Sequence, residues 1–327
     1  MPFLTEAEPP RGVPLDVLPG IRRIVARNPS VMTYHGTNTY LIEADEGLSV
    51  LDPGPEDAQH VQEILTAAGA VPIRRILLTH THRDHFGAVA ALQTATRAPI
   101  YAYRHSAKPG FTPDIPLGDG DVVAGLTAIF TPGHAADHLC FVLRDGQRKI
   151  LFSGDHVMSW SSSIVSPPDG DMLAYYRSLE RLLGRDDELY LSGHGPVLPE
   201  PQTLVRELLG HRQRREETIL RQLEQQDWSV AALAARLYAK TNPFLKVAAQ
   251  RNVLAHLLKL AAEGRAVELE PDTELPVDVP QIPAPPGEVQ RESGGVAAMM
   301  QRDALRRFGK AKEKASFCEQ KEAKKLC

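Results

Sequence analysis

Up to about Leu198 the chain is a succession of short apolar runs separated by turn residues, and their lengths predict strands. The expected strands are Ile21–Ala26, Thr39–Glu43, Leu48–Asp52, Arg75–Thr79, Ile100–Ala102, Leu126–Phe130, Leu139–Leu143, Lys149–Ser153 and Glu188–Ser192. Helical stretches fall between them at Ala58–Ala68, with Gly69 as its stop, at Ala88–Thr96 and at Met172–Leu183. Strands interleaved with a few helices describe a strand-rich α/β domain, not a helical bundle.

Near Pro199-Glu200-Pro201 the pattern changes. Val205–Gln226, Val230–Tyr238 and Leu245–Glu263 read as helices, divided by Asp227-Trp228-Ser229 and Thr241-Asn242-Pro243. Ser229 and Asn242 have the chemistry of N-caps. The run Gly264-Arg265-Ala266-Val267-Glu268-Leu269 reads as a helix stop feeding a short strand, so this region is expected to be a small winged-helix-like module. From Pro276 the chain becomes Pro-rich and then rich in Ala, Lys and Gln. The expected organisation is a catalytic domain over 1–200, the helical module over 201–275, and a disordered or conditionally helical linker and tail over 276–327.

Composition adds bounds. Hydrophobic residues at 43 % and charged residues at 24 % are those of an ordinary globular protein. No apolar run approaches a membrane-spanning length, and the first ten residues have neither a basic start nor an apolar core. Cys140, Cys318 and Cys327 offer no disulfide framework, so a reducing cytoplasm is the expected compartment and no membrane partner is expected. From residue 301 onward nine Lys and Arg face four Asp and Glu, a surplus of about +5 that leaves the rest of the chain near −9. So acidic a body does not attract nucleic acid; a basic stripe or the tail would have to.

Chemistry concentrates in His80-Thr81-His82-Arg83-Asp84-His85, which follows a strand and precedes a helix-forming run. Imidazole and carboxylate are what zinc selects, and strand-to-helix loops are where α/β proteins place their sites. Three further ligands follow apolar strands: His134 in Thr131-Pro132-Gly133-His134, Asp155 in Ser153-Gly154-Asp155, and His194 in Ser192-Gly193-His194-Gly195. A glycine precedes each, which lets the backbone turn the next side chain toward a common centre. Seven ligands suit two divalent ions, zinc first, with manganese or iron accepted by the same donors. His80, His82 and His134 would form a three-imidazole site; Asp84, His85 and His194 a second one; Asp155 would bridge. Such a pair can hold a bridging hydroxide as nucleophile, oriented by Asp84 and Asp155 as catalytic carboxylates. No Gly-x-Ser-x-Gly elbow offers a serine alternative.

In order and context, these motifs resemble those of the metallo-β-lactamase superfamily, and Leu51-Asp52-Pro53-Gly54 resembles its first motif, whose aspartate supports the ligands from behind. The resemblance covers about the first 200 residues and implies an αββα sandwich with a dinuclear site on one edge. Having both His85 and Asp155 sets the chain apart from the antibiotic-hydrolysing lactamases. His156-Val157-Met158-Ser159-Trp160-Ser161 stands where glyoxalase II enzymes have a Phe-x-x-Gly-Cys-Gly-Arg run, and His82 stands where flavodiiron proteins have Glu. The long basic insertion of transfer-RNA 3′-processing nucleases has no evident counterpart.

The chain is most similar to the β-lactamase-like protein 2 family, through Gly36-Thr37-Asn38-Thr39-Tyr40-Leu41, Pro132-Gly133-His134-x-x-Asp137-His138, Ser192-Gly193-His194-Gly195-Pro196 and the helix Asn252–Leu260. That similarity implies zinc-dependent hydrolysis, with single-stranded RNA as the first expected substrate. Hydrolysis of a small-molecule thioester or lactone is the alternative, favoured by the acidic body. A nucleic-acid-binding protein that has lost its chemistry is a third reading, and the complete ligand set argues against it. Nothing in the pattern specifies an oligomeric state.

Other residues carry less. Asp137 and His138 are expected either to tune the site or to serve the local turn. His156 either lines the pocket or buries its ring. His35 and Asn38 precede a strand and are expected either to face the metal edge or, the better reading, to hydrogen-bond within their loop. Lys246, Arg251, His256 and Lys259 recur along one helix, and read better as a solvated face than as a phosphate contact.

Overall fold

The computed structural model describes residues 3–146, 148–240, 242, 245–269 and 293–311. The first half builds a seven-stranded sheet ordered β1 (Leu15–Leu18), β2 (Ile21–Val25), β3 (Asn38–Ala44), β4 (Gly47–Leu51), β5 (Ile73–Leu77), β6 (Ile100–Tyr103) and β7 (Ile115–Leu117). The first four strands pair antiparallel and the rest parallel, with helices α1 (Ala58–Ala68), α2 (Arg83–Phe86) and α3 (Val89–Thr96) in the connections. The second sheet contains β8 (Val122–Val123), β9 (Leu126–Phe130), β10 (Leu139–Asp145), β11 (Arg148–Gly154), β12 (Leu189–Ser192) and β13 (Leu198–Pro199), with α4 (Met172–Leu183) crossing between β11 and β12.

Period-two alternation explains the layering. In the first sheet Tyr40, Ile42, Leu51 and Leu77 meet Phe141, Ile150, Phe152 and Leu191 of the second, forming the core between the sheets. Leu41, Val50 and Ile76 point the other way, onto α1 and α3. On the far side, Cys140, Val142, Leu151 and Tyr190 pack on α4 and on α5 (Pro201–Leu223). The result is the expected αββα sandwich.

Every expected strand and helix of this region is present with ends moved by a few residues. The strands without a sequence signal, β1, β7, β8 and β13, are the four sheet edges. An edge strand buries at most one face, and these are short and half-exposed, so no apolar run marks them.

After α5 come β14 (Trp228–Ser229), α6 (Val230–Leu237), α7 (Lys246–Ala262), β15 (Ala266–Leu269), α8 (Ser293–Leu305) and β16 (Arg307–Lys310). Ser229 caps α6 as expected, accepting from Ala232 N; at α7 the cap position is Leu245, not Asn242. The three strands form a sheet ordered β14-β16-β15, which makes the module a winged helix. Here the structure departs from the expected boundary. Residues 293–311 belong to the module, because β16 is its central strand and Phe308 is fully buried among Ile219, Leu233, Val253 and Leu257. One buried aromatic in a Lys- and Arg-rich run is a weak signal, which is why composition alone assigns it to the tail. The expected linker over 276–292 and the last residues, with Cys318 and Cys327, lie outside the described residues. Among the described residues no helix is long and apolar enough to cross a membrane.

Candidate metal centre

All seven expected ligands meet at one edge of the sandwich, in two groups: His80, His82 and His134, and Asp84, His85, Asp155 and His194. His80–His85 follow β5, His134 follows β9, Asp155 follows β11, and His194 follows β12, so both sheets contribute. The sheets are tied at this edge by the bridge between Thr37 and His194 and by Asn38 N donating to Gly193 O at 2.7 Å.

Each imidazole is oriented by the nitrogen that faces away from the centre. His134 Nδ1 donates to the Ile164 carbonyl at 2.7 Å, and His82 Nε2 to Asp169 Oδ2 at 2.9 Å. The Thr79 hydroxyl donates to Asp52 Oδ2 at 2.7 Å, so its oxygen accepts from His80 Nδ1 at 2.9 Å. His85 Nδ1 donates to Asp52 Oδ2 at 2.9 Å, and His194 Nδ1 to Gly36 O at 3.2 Å. With those protons placed outward, every inward nitrogen presents a lone pair. His82 Nδ1 then lies 3.0 Å from His80 Nε2 and 2.9 Å from His134 Nε2, three lone pairs with no proton to share. In the second group the buried atoms His85 Nε2, His194 Nε2 and Asp155 Oδ1 have no hydrogen-bond partner. Converging lone pairs and orphaned acceptors, with a carboxylate between them, are what a divalent cation satisfies. The donor set fits divalent-cation binding.

The electrostatics agree. Burial and the neighbouring imidazole of His82 hold His134 down at about 4, and burial puts His80 well below its usual range, so both are neutral, as a ligand must be. Burial also opposes charge on His194, but the carboxylates of Asp155 and Asp84 outweigh it and raise the ring to about 9. A locus so negative favours a cation, which would displace the second proton such a ring holds at neutral pH and free its inward lone pair.

The glycines before the ligands serve different ends. Gly154 has φ +48°, a left-handed turn where a Cβ would meet Thr79 and His138. Gly193 has no such φ; a Cβ there would stand 2.5 Å from Asp155 Oδ1 and 2.6 Å from His85 Cε1. The requirement is room for ligands, not backbone freedom.

The residues of open role now have places. Asp137 Oδ2 accepts from Thr81 Oγ1 at 2.6 Å and Ala107 N at 2.9 Å, tying down the hexapeptide. His138 Nε2 accepts from Asp155 N at 3.2 Å, bracing that residue through its backbone. His156 buries its ring against Tyr175 and does not line the pocket. Neither Asn38 nor His35 stays within its own loop: Asn38 Nδ2 donates to the carbonyls of Ser192 and Gly195, both at 2.9 Å, shaping the His194 turn, and His35 Nε2 meets the Glu6 carbonyl of the N-terminal segment. Asp169 gave no sequence signal. It lies in Pro-Pro-Asp-Gly, which reads as a turn, and only the fold brings it to His82.

Helix α7 overturns both expectations for its charged residues. Arg251, His256 and Lys259 are buried, and only Lys246 is exposed. Lys259 pairs with Glu216 at 2.8 Å and Arg251 hydrogen-bonds Asp303, inside the module.

A sandwich whose strand ends gather two such clusters defines a metal-dependent hydrolase. Residues 32–194 match the model of the metallo-β-lactamase superfamily and 229–272 that of the β-lactamase-associated winged helix domain. The chain belongs to the metallo-β-lactamase superfamily. It is 31 % identical over 268 residues to the β-lactamase-like protein 2 homolog of Drosophila melanogaster, covering 74 % of this chain and 88 % of the relative. It is 30 % identical over 266 residues to the atrochrysone carboxyl ACP thioesterase of Passalora fulva, covering 77 % and 73 %. A β-lactamase domain protein from Burkholderia ambifaria shares the fold with a TM-score of 0.73 at 20 % identity, over 94 % of this chain and 96 % of that one.

Proposed function

We propose that the protein is a dinuclear-metal-dependent hydrolase of small-molecule acyl thioesters. The observation that carries the choice of substrate is helix α7. Its buried cations, Arg251 and Lys259, serve internal pairs, so this helix presents no basic stripe to a phosphate polymer. An apolar acyl group would find exposed apolar side chains on the loop that precedes Gly36. Val31 and Met32 are about half exposed on the turn that leads to Gly36, whose carbonyl orients His194. The relative from Passalora fulva and a 35 % identical relative from Emericella nidulans are named as thioesterases, which supports the same reading.

His80, His82 and His134 would hold one ion, Asp84, His85 and His194 the other, with Asp155 between them. Divalent ions there supply a Lewis acid for the carbonyl and a water whose pKa falls to about 7. Asp84 is the most open of the cluster's carboxylates, 30 % exposed against 10 % for Asp155, so it is the one open to an incoming substrate and can accept a hydrogen bond from the attacking water. Asp155, buried and anionic, keeps His85 and His194 turned inward. Water adds to the thioester carbonyl, the carbon–sulfur bond breaks, and the acid and the thiol leave. Neither needs a serine or cysteine nucleophile; the described cysteine, Cys140, is buried with its thiol pushed up to about 12 by burial.

The test is a panel of acyl thioesters, lactones, β-lactams and labelled single-stranded RNA against zinc- and manganese-loaded protein, beside Asp84→Ala. The expected result is thioester hydrolysis that falls at least ~100-fold in the variant. RNA cleavage abolished by Asp84→Ala, with thioesters untouched, would replace this reading with the nuclease one.

A further inference from the structure

The segment between β11 and α4 supplies two of the groups that orient the three-imidazole cluster: the Ile164 carbonyl holds His134 and the Asp169 carboxylate holds His82. Part of its support comes from the sandwich itself: Asp169 Oδ1 accepts from Ala136 N at 2.9 Å, and Ser163 Oγ donates to the carbonyls of Asp155 and His156. It is also gripped from the C-terminal module. Asn252 Oδ1, on α7, accepts from Val165 N at 3.1 Å and from Arg212 Nη1 at 3.1 Å. Arg212, on α5, donates to the Ser163 carbonyl and to Ser162 Oγ, and Arg251 Nε, on α7, donates to Ser166 Oγ at 3.0 Å. All three side chains are at least nine-tenths buried, and Val165 is fully buried beside Ala255 and Leu208. The grip therefore brackets Ile164 on both sides, and Asp169 follows within three residues of Ser166.

We propose that Asn252, Arg212 and Arg251 are positioning residues of the metal centre, so that the winged-helix module sets the cation affinity of the His80–His82–His134 cluster and leaves the Asp84–His85–His194 cluster unaffected. The contacts explain the selectivity. His85 and His194 of the second cluster are oriented by Asp52 and by Gly36, neither of which hydrogen-bonds the module, and Asp155 meets the segment through its backbone carbonyl, not its carboxylate. Without its anchors the 162–169 segment shifts, the acceptors of His134 Nδ1 and His82 Nε2 move off line, and the inward lone pairs no longer converge. Losing a ligand's hydrogen-bond partner typically weakens metal binding by about 10–100-fold. The inference rests on both clusters holding cations, as argued above.

The experiment is competition dialysis of the full-length zinc-loaded protein against a graded chelator, counting zinc per chain for wild type, Asn252→Ala, Asp169→Ala and the double variant. Asn252→Ala is expected to raise the dissociation constant of one ion about 10–100-fold and to leave the other unchanged. Asp169→Ala is expected to weaken the same ion, and the double variant to fall well short of the summed losses, since both act on one segment. Arg236→Ala, in the same module and clear of the segment, is expected to retain both ions. Should Asn252→Ala fail to fold, Arg251→Met replaces it under the same criteria. Two ions held with wild-type affinity by the folded variant, or equal weakening by Arg236→Ala, overturns the inference and leaves the hydrolase reading intact. A wild-type protein that binds no metal overturns both.

Discussion

Asp52 Oδ2 accepts from His85 Nδ1 at 2.9 Å and, on the same oxygen, from Thr79 Oγ1 at 2.7 Å, whose own oxygen accepts from His80. One buried carboxylate thus orders a ligand of each cluster. Asp52→Asn is the sharpest probe of that link. Asparagine tolerates the φ of +53° found there, so the backbone survives. Its Oδ1 still serves Thr79 N, but an amide NH₂ then faces His85 Nδ1, and the ring must turn its proton toward the metal side. The expected outcome is a 10–100-fold loss (roughly) in metal affinity at both clusters, read by chelator competition. Unchanged zinc content at limiting chelator would remove Asp52 from the site.

Gly193→Ala tests whether space, not conformation, dictates that glycine. A Cβ would overlap Asp155 Oδ1 and His85 Cε1, and no positive φ resists the change. Hydrolytic activity is expected to fall about 100-fold or more, as small ligand displacements are costly to chemistry, while metal-free stability moves by less than about 1 kcal/mol. An active variant would show that the cluster relaxes around a methyl group.

The contrast between glycines shows what the sequence made legible. Gly133, Gly154 and Gly193 flag the ligand turns equally well, but only the fold distinguishes a left-handed turn from a crowded one. The candidate ligands are readable because imidazole and carboxylate at strand ends are chemically conspicuous. Their supports are not. Ile164 acts through a carbonyl every residue possesses, and Asp169 resembles any turn aspartate. In the same way the buried strands between β2 and β12 announce themselves as apolar runs, while edge strands and β16 depend on neighbours distant in sequence. Helix α7 misleads for the opposite reason. Its charged residues follow a helical spacing, which marks a surface face only if the partners are water, and here they are Glu216 and Asp303.

Glu216 and Lys259 are both more than nine-tenths buried and lie 2.8 Å apart. Glu216→Leu leaves the Lys259 ammonium in the interior with Glu263 as its remaining carboxylate, and is expected to cost about 3 kcal/mol. Adding Lys259→Met removes the stranded charge and should restore most of that loss. Urea unfolding of the two variants decides it; a double variant no more stable than the single one would mean that the pair does more than neutralise itself.

The neighbouring His256 gives the module a pH dependence of definite sign. Its ring is fully buried beside Tyr176, 3.9 Å from Glu216, and burial lowers it to about 4. In the unfolded chain it titrates near 6.5. Between those values the unfolded state binds a proton the folded state refuses, so falling pH favours unfolding. The full contribution is present above about 6.5 and is lost progressively down to about 4. His256→Gln removes that proton uptake and leaves the histidines of the metal centre titrating as before, so the difference between the two proteins isolates this ring. Across that window the wild type is expected to lose stability faster than the variant, by a slope approaching about 1.4 kcal/mol per pH unit. Urea unfolding at pH 7, 6 and 5 measures it, and parallel profiles would show that His256 takes up its proton without unfolding the module.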